Sequence, residues 1–217
     1  ADIAHELRTP LSNLMTQTEV VLAQPRDSEA YQETLYANLD DCKRMARMID
    51  DMLFLAKADN GLIVPEQQPV ALDVEVEKLF EYYRLLADER GIRLQLHGHA
   101  VVRGDVLMLH RALSNLLSNA LRYTPAGASI QVELEQNANG SALRLSNPGP
   151  TIAGEHLERL FDRFYRADPA RREGSPHNAG LGLAITRSII HAHQGQIHCT
   201  SVAGKTTFCV QFPAAAQ

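Results

Sequence analysis

Seven apolar residues, Leu35, Leu39, Cys42, Ala46, Ile49, Leu53 and Ala56, are separated by alternating intervals of four and three. That heptad spacing marks a helix with a continuous seam for another helix. Met45, Met48, Met52 and Leu55 form a second apolar stripe beside the first. One partner helix needs one stripe, so two stripes imply two neighbours, as in a four-helix bundle. The whole stretch from Asp2 to Ala58 reads as helical. Its one interruption is Gln24-Pro25-Arg26-Asp27-Ser28, a turn in which Asp27 or Ser28 can cap the next helix. A two-helix hairpin cannot bury this much apolar surface alone. The sequence therefore predicts a homodimer whose two hairpins form the bundle.

In the first helix, Ile3, Leu7, Leu11, Leu14 and Val21 are assigned to the inner face. At about 100° per residue, His5 lies about 200° from both Ile3 and Leu7, on the outer face. Thr9 follows one turn later on that face, and Glu6 is adjacent. Pro10 removes a backbone donor and predicts a kink just past His5.

From Asp59 to Pro69 the composition shifts to Asn-Gly and two prolines, which reads as a linker. Beyond it, helices are expected over Val74–Arg90, Val106–Arg122, Gly154–Phe164 and Leu181–Gln194. Strands are expected over Ile92–Leu96, Ser129–Gln136, Ala142–Asn147, Gln196–Ser201 and Thr206–Phe212. This mixture predicts a two-layer α/β sandwich. The expected division is a hairpin over 1–60, a linker over 61–69 and a mixed domain over 70–213.

The 217 residues are 45% hydrophobic and 22% charged, an ordinary globular mixture. A net charge of −5 argues against a nucleic-acid-binding surface. Cys42, Cys199 and Cys209 show no CxxC spacing and read as reduced core thiols. No run of about 18 apolar residues appears. The chain opens without Met inside a helix, which suggests a piece of a longer protein.

The hexapeptide His5-Glu6-Leu7-Arg8-Thr9-Pro10 carries chemistry. An imidazole nitrogen with a free lone pair can attack phosphorus while a neighbouring carboxylate holds the other N–H and takes its proton. Glu6 is placed for that role, and Thr9 can orient a water for the reverse hydrolysis. The hexapeptide resembles the H-box of sensor histidine kinases, and the hairpin resembles their dimerisation and phosphotransfer domain. The second half resembles the ATP-binding domain shared with gyrase-type ATPases. Ala4–Ser12, Asp51–Asn60 and the Phe161–Arg166 region look most like the heavy-metal (copper and silver) responsive subgroup.

The resemblance extends to five more motifs. Asn115-Leu-Leu-Ser-Asn119-Ala-Leu-Arg122-Tyr123 is similar to the N-box, which implies Asn115 and Asn119 toward Mg²⁺ and nucleotide, Arg122 toward phosphates and Tyr123 flanking the nucleotide. Two amides four apart share a helix face and offer neutral oxygens to an ion carried by triphosphate. Asn147-Pro148-Gly149-Pro150-Thr151-Ile152 resembles the G1 box. Asn147 stands there in place of the usual Asp and Thr151 in place of the second Gly, and an Asn carbonyl can still accept from the adenine amino group. Phe161-Asp-Arg163-Phe164-Tyr165-Arg166 resembles the F-box, with Arg163 and Arg166 toward phosphates. Asn178-Ala179-Gly180-Leu181-Gly182-Leu183 resembles the G2 box, whose glycines let backbone N–H groups approach phosphate at a helix N-terminus. Gly204-Lys205-Thr206 resembles the G3 turn, with Thr206 as a further contact.

There is no Walker A sequence. His97/His99 and His191/His193 read as surface histidines rather than metal ligands. The resemblance implies ATP and Mg²⁺ as cofactors, autophosphorylation on His5, transfer to a response-regulator aspartate and possible phosphatase activity toward that regulator. It also implies a cytoplasmic portion of an inner-membrane protein, outside the bilayer itself. Two other readings are a gyrase- or chaperone-type ATPase, and a degenerate kinase acting as a dimeric scaffold or phosphatase. The departures at Asn147, Thr151, Asn178 and Lys205 motivate the latter.

Overall fold

The computed structural model describes residues 2–167 and 180–214, with side chains described from Leu7 onward. Two antiparallel helices come first, α1 (Asp2–Leu22) and α2 (Ser28–Asp59). Asp27 caps α2, its Oδ1 accepting from the Ala30 N–H at 2.8 Å, so the turn is closed by one of the two residues expected to do so. Asn38 Nδ2 donates to Thr18 Oγ1 at 3.0 Å and ties the two helices together. The helix α1 continues through Pro10, which is buried together with the half-buried Leu7, Leu14, Thr18 and Val21. Leu11, expected on that inner face, is instead 48% exposed. It stands at the edge of the stripe, about 60° from the mean direction of Leu7, Leu14 and Val21.

The two stripes of α2 have different fates. Met48 and Leu55 are buried, and Met45 and Met52 half-buried. Met48, Leu55 and Met52 pack with the core of the second half, so the second neighbour within the chain is the mixed domain rather than another hairpin. All seven residues of the heptad stripe stay exposed in the single chain.

The mixed domain begins with β1 (Gln68–Ala71), so Gln68 and Pro69 of the expected linker already form strand. Helix α3 (Leu72–Glu89), β2 (Arg93–His97) and β3 (Val101–Gly104) follow, then α4 (Val106–Tyr123), β4 (Ser129–Asn137) and β5 (Gly140–Pro148). The short α5 (Gly154–Leu157), α6 (Gly182–Ala192), β6 (Gln196–Val202) and β7 (Lys205–Pro213) complete the order. Five strands form one sheet in the order β2-β4-β5-β7-β6, with β2 parallel to β4 and the rest antiparallel. β1 and β3 pair separately.

Alternation puts Ile130, Val132 and Leu134, Leu143 and Leu145, and Phe208, Val210 and Phe212 on the sheet's buried face. Against it lies the apolar side of α4, with Leu109, Leu113, Leu116 and Leu117, beside Ile185 and Ile189 of α6. This is the two-layer sandwich expected, with helices on one face and polar residues on the other.

Three expectations change. The helix expected over Gly154–Phe164 ends at Leu157, and tight turns follow to Phe164, whose φ of +62° cannot continue an α-helix. His193 is 6% exposed, not a surface residue: its Nδ1 lies 2.8 Å from the Ile189 carbonyl and its Nε2 accepts from the Asp105 N–H at 3.0 Å. The thiols are unpaired as expected, but Cys42 is exposed rather than in a core. No described helix is long and apolar enough to cross a membrane.

Candidate functional site

The site residues expected from sequence come from elements far apart in the chain, and the sheet's strand order gathers most of them. α4 is capped by Asp105, whose Oδ1 accepts from the Met108 N–H at 3.0 Å. Its buried side packs on the sheet, which leaves Asn115 and Asn119 half-buried beyond the apolar stripe. Asn115 Nδ2 donates to the Gly182 carbonyl at 3.0 Å and reaches Thr186 Oγ1 at 3.4 Å. That pairing fixes the amide's orientation, because both partners can accept, and it leaves Oδ1 as the free oxygen. Thr186, fully buried, returns its hydroxyl to the Gly182 carbonyl at 2.9 Å.

At the first turn of α6 the N-cap residue Leu181 offers no side-chain cap to the backbone N–H groups that follow, and none is seen among the described residues. Those donors are among the unpaired groups that every helix N-terminus presents. Gly180 precedes them at φ +72°, and a Cβ there would lie 2.9 Å from the Phe164 backbone. Its carbonyl accepts from the Phe164 N–H at 3.0 Å. Gly180 is thus required by both its conformation and its closeness to Phe164. Gly182 and Leu183 open the helix. Asn178 lies outside the described residues, as do the neighbours of Gly180 back to residue 168.

The end of β5 and the start of β7 face each other through the pair Asn147 and Thr206. Asn147 is 3% exposed, and its Nδ2 donates to the Pro148 carbonyl at 3.0 Å, which again leaves the carboxamide oxygen free to accept. The Gly149 N–H donates to the Gly204 carbonyl at 2.8 Å, and the Gly204 N–H donates to Thr151 Oγ1 at 2.9 Å. Thr151, the residue that departs from glycine, therefore closes the turn in which Gly204 sits. The Ile152 N–H donates to Ser201 Oγ at 2.9 Å, and Ser201 Oγ lies 3.2 Å from Thr206 Oγ1. A Cβ on Gly149 would stand 3.0 Å from the Tyr123 carbonyl, so the end of α4 and this turn meet closely.

Arg163 behaves differently from a residue aimed at nucleotide. Its guanidinium reaches both oxygens of Asp59, at 2.5 and 2.6 Å, and joins the F-box region to the last turn of α2. Arg122 and Arg166 are each half-buried, and Tyr123 is 39% exposed. Tyr165 bonds His156 through its hydroxyl, and the Arg159 guanidinium carbon lies over the Tyr165 ring, 4.3 Å from its centroid. His5 and Glu6 belong to the backbone of α1, and their side chains are outside the described residues. Thr9 is exposed on the same helix.

Sequence reasoning missed Thr186, Ser201 and Arg111. Thr186 follows Gly182 by four residues, so one turn of helix was the available signal. Ser201 is two-residue alternation away from the inward Cys199. Arg111 precedes Asn115 by one turn, and its guanidinium bonds Asp51 of α2 and sits 4.8 Å from the Phe54 ring centroid.

Residues 104–216 match the family described as histidine kinase-, DNA gyrase B- and HSP90-like ATPases, and residues 1–61 match the His Kinase A phospho-acceptor domain. The chain therefore belongs to the histidine kinases within that ATPase family. It is 51% identical over 99% of its length to the sensor histidine kinase CusS of Escherichia coli strain K12, of which it covers 45%. It is 56% identical over 83% of its length to the sensor protein CopS of Pseudomonas syringae pv. tomato, covering 37% of that protein. The chain spans less than half of either relative. In fold it matches the Acinetobacter baumannii histidine kinase AdeS with a TM-score of 0.80 at 23% identity, covering 98% of each chain.

Proposed function

We propose that this chain is the catalytic core of a sensor histidine kinase that phosphorylates its own His5 from ATP and passes the phosphoryl group to a response-regulator aspartate. The observation that carries the reading is the junction with Gly182 made by Asn115 of α4, a helix whose far end at Tyr123 meets the closed turn of Gly149, Thr151 and Gly204, in a chain that also holds His5-Glu6-Leu7-Arg8-Thr9-Pro10. The first two elements assemble a nucleotide site from three separate glycine motifs. The last supplies an acceptor that a gyrase- or chaperone-type ATPase does not need.

In this reading the Asn147 oxygen accepts from the adenine amino group, and Thr206 and Gly149 line the base end. Ile152 is held at that end by Ser201. Backbone N–H groups of Gly182 and Leu183 and the side chain of Arg122 meet the phosphates. Tyr123 flanks the nucleotide, and Arg166 approaches the phosphates from the F-box region, while Arg163, expected to do the same, is held by Asp59 at the end of α2. The free oxygens of Asn115 and Asn119 suit Mg²⁺, a hard ion that keeps water and phosphate as its main ligands and neutralises charge on the triphosphate. The His5 lone pair attacks the γ-phosphorus. The bond to the β–γ bridging oxygen breaks, and its electron pair leaves with ADP. Glu6 takes the proton from the second imidazole nitrogen, and Thr9 orients water when the reaction runs toward hydrolysis of the regulator's acyl phosphate.

The division proposed is a dimerisation and phosphotransfer hairpin over 1–60, a linker over 61–69 and an ATP-binding domain over 70–213. Two hairpins pair through the exposed heptad stripe as a homodimer. The family resemblance supports a parent protein anchored in the inner membrane, with this portion on the cytoplasmic side.

Incubation with γ-labelled ATP and Mg²⁺ tests the reading. The expected outcome is acid-labile label on the protein that disappears in His5→Ala. Release of free phosphate with no labelled protein would turn the reading toward the ATPase alternative. No ATP affinity in a calorimetric titration would leave a scaffold or phosphatase.

A further inference from the structure

The mixed domain does not merely follow the hairpin; it is fastened to α2 through Arg111 at Asp51 and through Arg163 at Asp59, and the first contact has a defined height on the hairpin. The Asn38–Thr18 hydrogen bond fixes the register of the two antiparallel helices. Both helices rise by about 1.5 Å per residue. Thirteen residues before Thr18 stands His5, and thirteen after Asn38 stands Asp51. The backbone of His5 is therefore about level with Asp51.

Asp51 is the residue that Arg111 engages. The guanidinium pairs with its carboxylate and lies over Phe54, one turn further along α2. Each charged side chain of this pair is about one-third exposed, at 35% and 30%. Met48 and Leu55, on either side of Asp51, are each 2% exposed against the mixed domain. Burial pushes the Asp51 carboxyl above its usual range, and Arg111 only partly offsets that, so the carboxylate depends on its partner. Arg111, Asn115 and Asn119 occupy successive turns of one strip of α4. The contact thus sits one turn from the amide assigned to the triphosphate and at the height of the acceptor histidine.

We propose that Arg111 is a positioning residue for phosphoryl transfer: by gripping Asp51 and Phe54 it sets α4, and the nucleotide carried on it, at the level of His5. The inference rests on the histidine-kinase reading above. In this role Arg111 acts through the helix it anchors rather than on the nucleotide or the imidazole. It fixes the distance between them, and transfer is steeply sensitive to that distance.

The test follows the rate of His5 labelling at saturating ATP alongside ATP affinity by calorimetry. In Arg111→Ala the labelling rate is expected to fall about tenfold, with ATP affinity and the content of folded protein unchanged. Asp51→Arg alone is expected to fall similarly. The charge swap, Asp51→Arg with Arg111→Asp, is expected to recover a substantial part of the rate, which a purely structural role would not produce. An Arg111→Ala chain that labels as fast as wild type, or faster, overturns the proposal, since the contact would then be idle or a restraint. So does a swap no better than the single variants, or a loss of ATP affinity equal to the loss of rate. A wild-type chain that takes no label on His5 overturns the kinase reading and this proposal together.

Discussion

Glu75 shows how a single charge is made tolerable in the helical layer. It is 5% exposed, and Lys78 Nζ at 2.6 Å and His110 Nδ1 at 2.9 Å both reach its carboxylate. Burial alone would raise its pKa, but the hydrogen bonds and charges of Lys78 and His110 outweigh it and hold the carboxyl below the usual glutamate range. A carboxylate whose folded pKa is depressed stabilises the fold fully above its unfolded value. That contribution is lost as pH falls through the folded one. Glu75→Gln should therefore flatten the fall of Tm between about pH 5 and pH 3 relative to wild type. Thermal melts of the two proteins across that range provide the check, and parallel curves would refute the assignment. His193 obeys a related rule without a charge. Donating from Nδ1 to Ile189 and accepting at Nε2 from Asp105, it fits only as the neutral imidazole. Gly104 makes room for it, since a Cβ there would come within 2.4 Å of the ring.

Among the elements, α4 does most to position the proposed nucleotide site, and its start depends on Asp105. Asp105→Ala removes the acceptor for the Met108 N–H but keeps the backbone N–H that His193 needs. The expected cost is about 1 kcal/mol of stability, read as a lower urea midpoint with the same m-value. ATP affinity should hardly move, because Asn115 lies almost three turns inside the helix. An unshifted midpoint would show that the cap does not hold this end. The strength of the α4 pattern is also why the element was legible in the sequence. Leu109, Leu113, Leu116, Leu117 and Ala120 give an uninterrupted apolar stripe with the two asparagines beside it. β1 and β3 were not legible. Each has four residues, one contains Pro69, and each pairs as a strand only with the other. The turns after Leu157 were misread as helix because Phe161 and Phe164 fall at helical spacing, and nothing local announces a positive φ at Phe164. Most of the candidate site was readable as motifs. Its cross-connections through Thr186, Ser201 and Arg111 were not, because each is a tertiary contact with no periodic signature.

At the scale of the whole molecule, the two stripes of α2 divide the labour between domains. The methionine-rich stripe is covered by the mixed domain, and its soft, unbranched side chains suit a face that meets a separately folded neighbour. The heptad stripe is left to water: Leu35 is 66% exposed, Leu39 48%, Ile49 47% and Leu53 57%. Met15 and Leu11 of α1 add to the same unburied surface. A fully buried leucine is worth about 1.5–3 kcal/mol relative to an exposed one, so leaving this seam uncovered forfeits much of a small domain's stability. A second copy of the hairpin supplies a seam of the same spacing, which a two-fold dimer requires. The wild-type chain is expected to sediment as a dimer at micromolar concentration. Leu39→Glu combined with Leu53→Glu is expected to sediment as a monomer. Its ATP affinity should be retained, because Met48, Leu55 and the Arg111 grip lie on the other stripe. A wild-type chain that stays monomeric at every accessible concentration would mean that something other than a second hairpin covers the heptad seam. A double variant that still dimerises would place the interface elsewhere on the molecule.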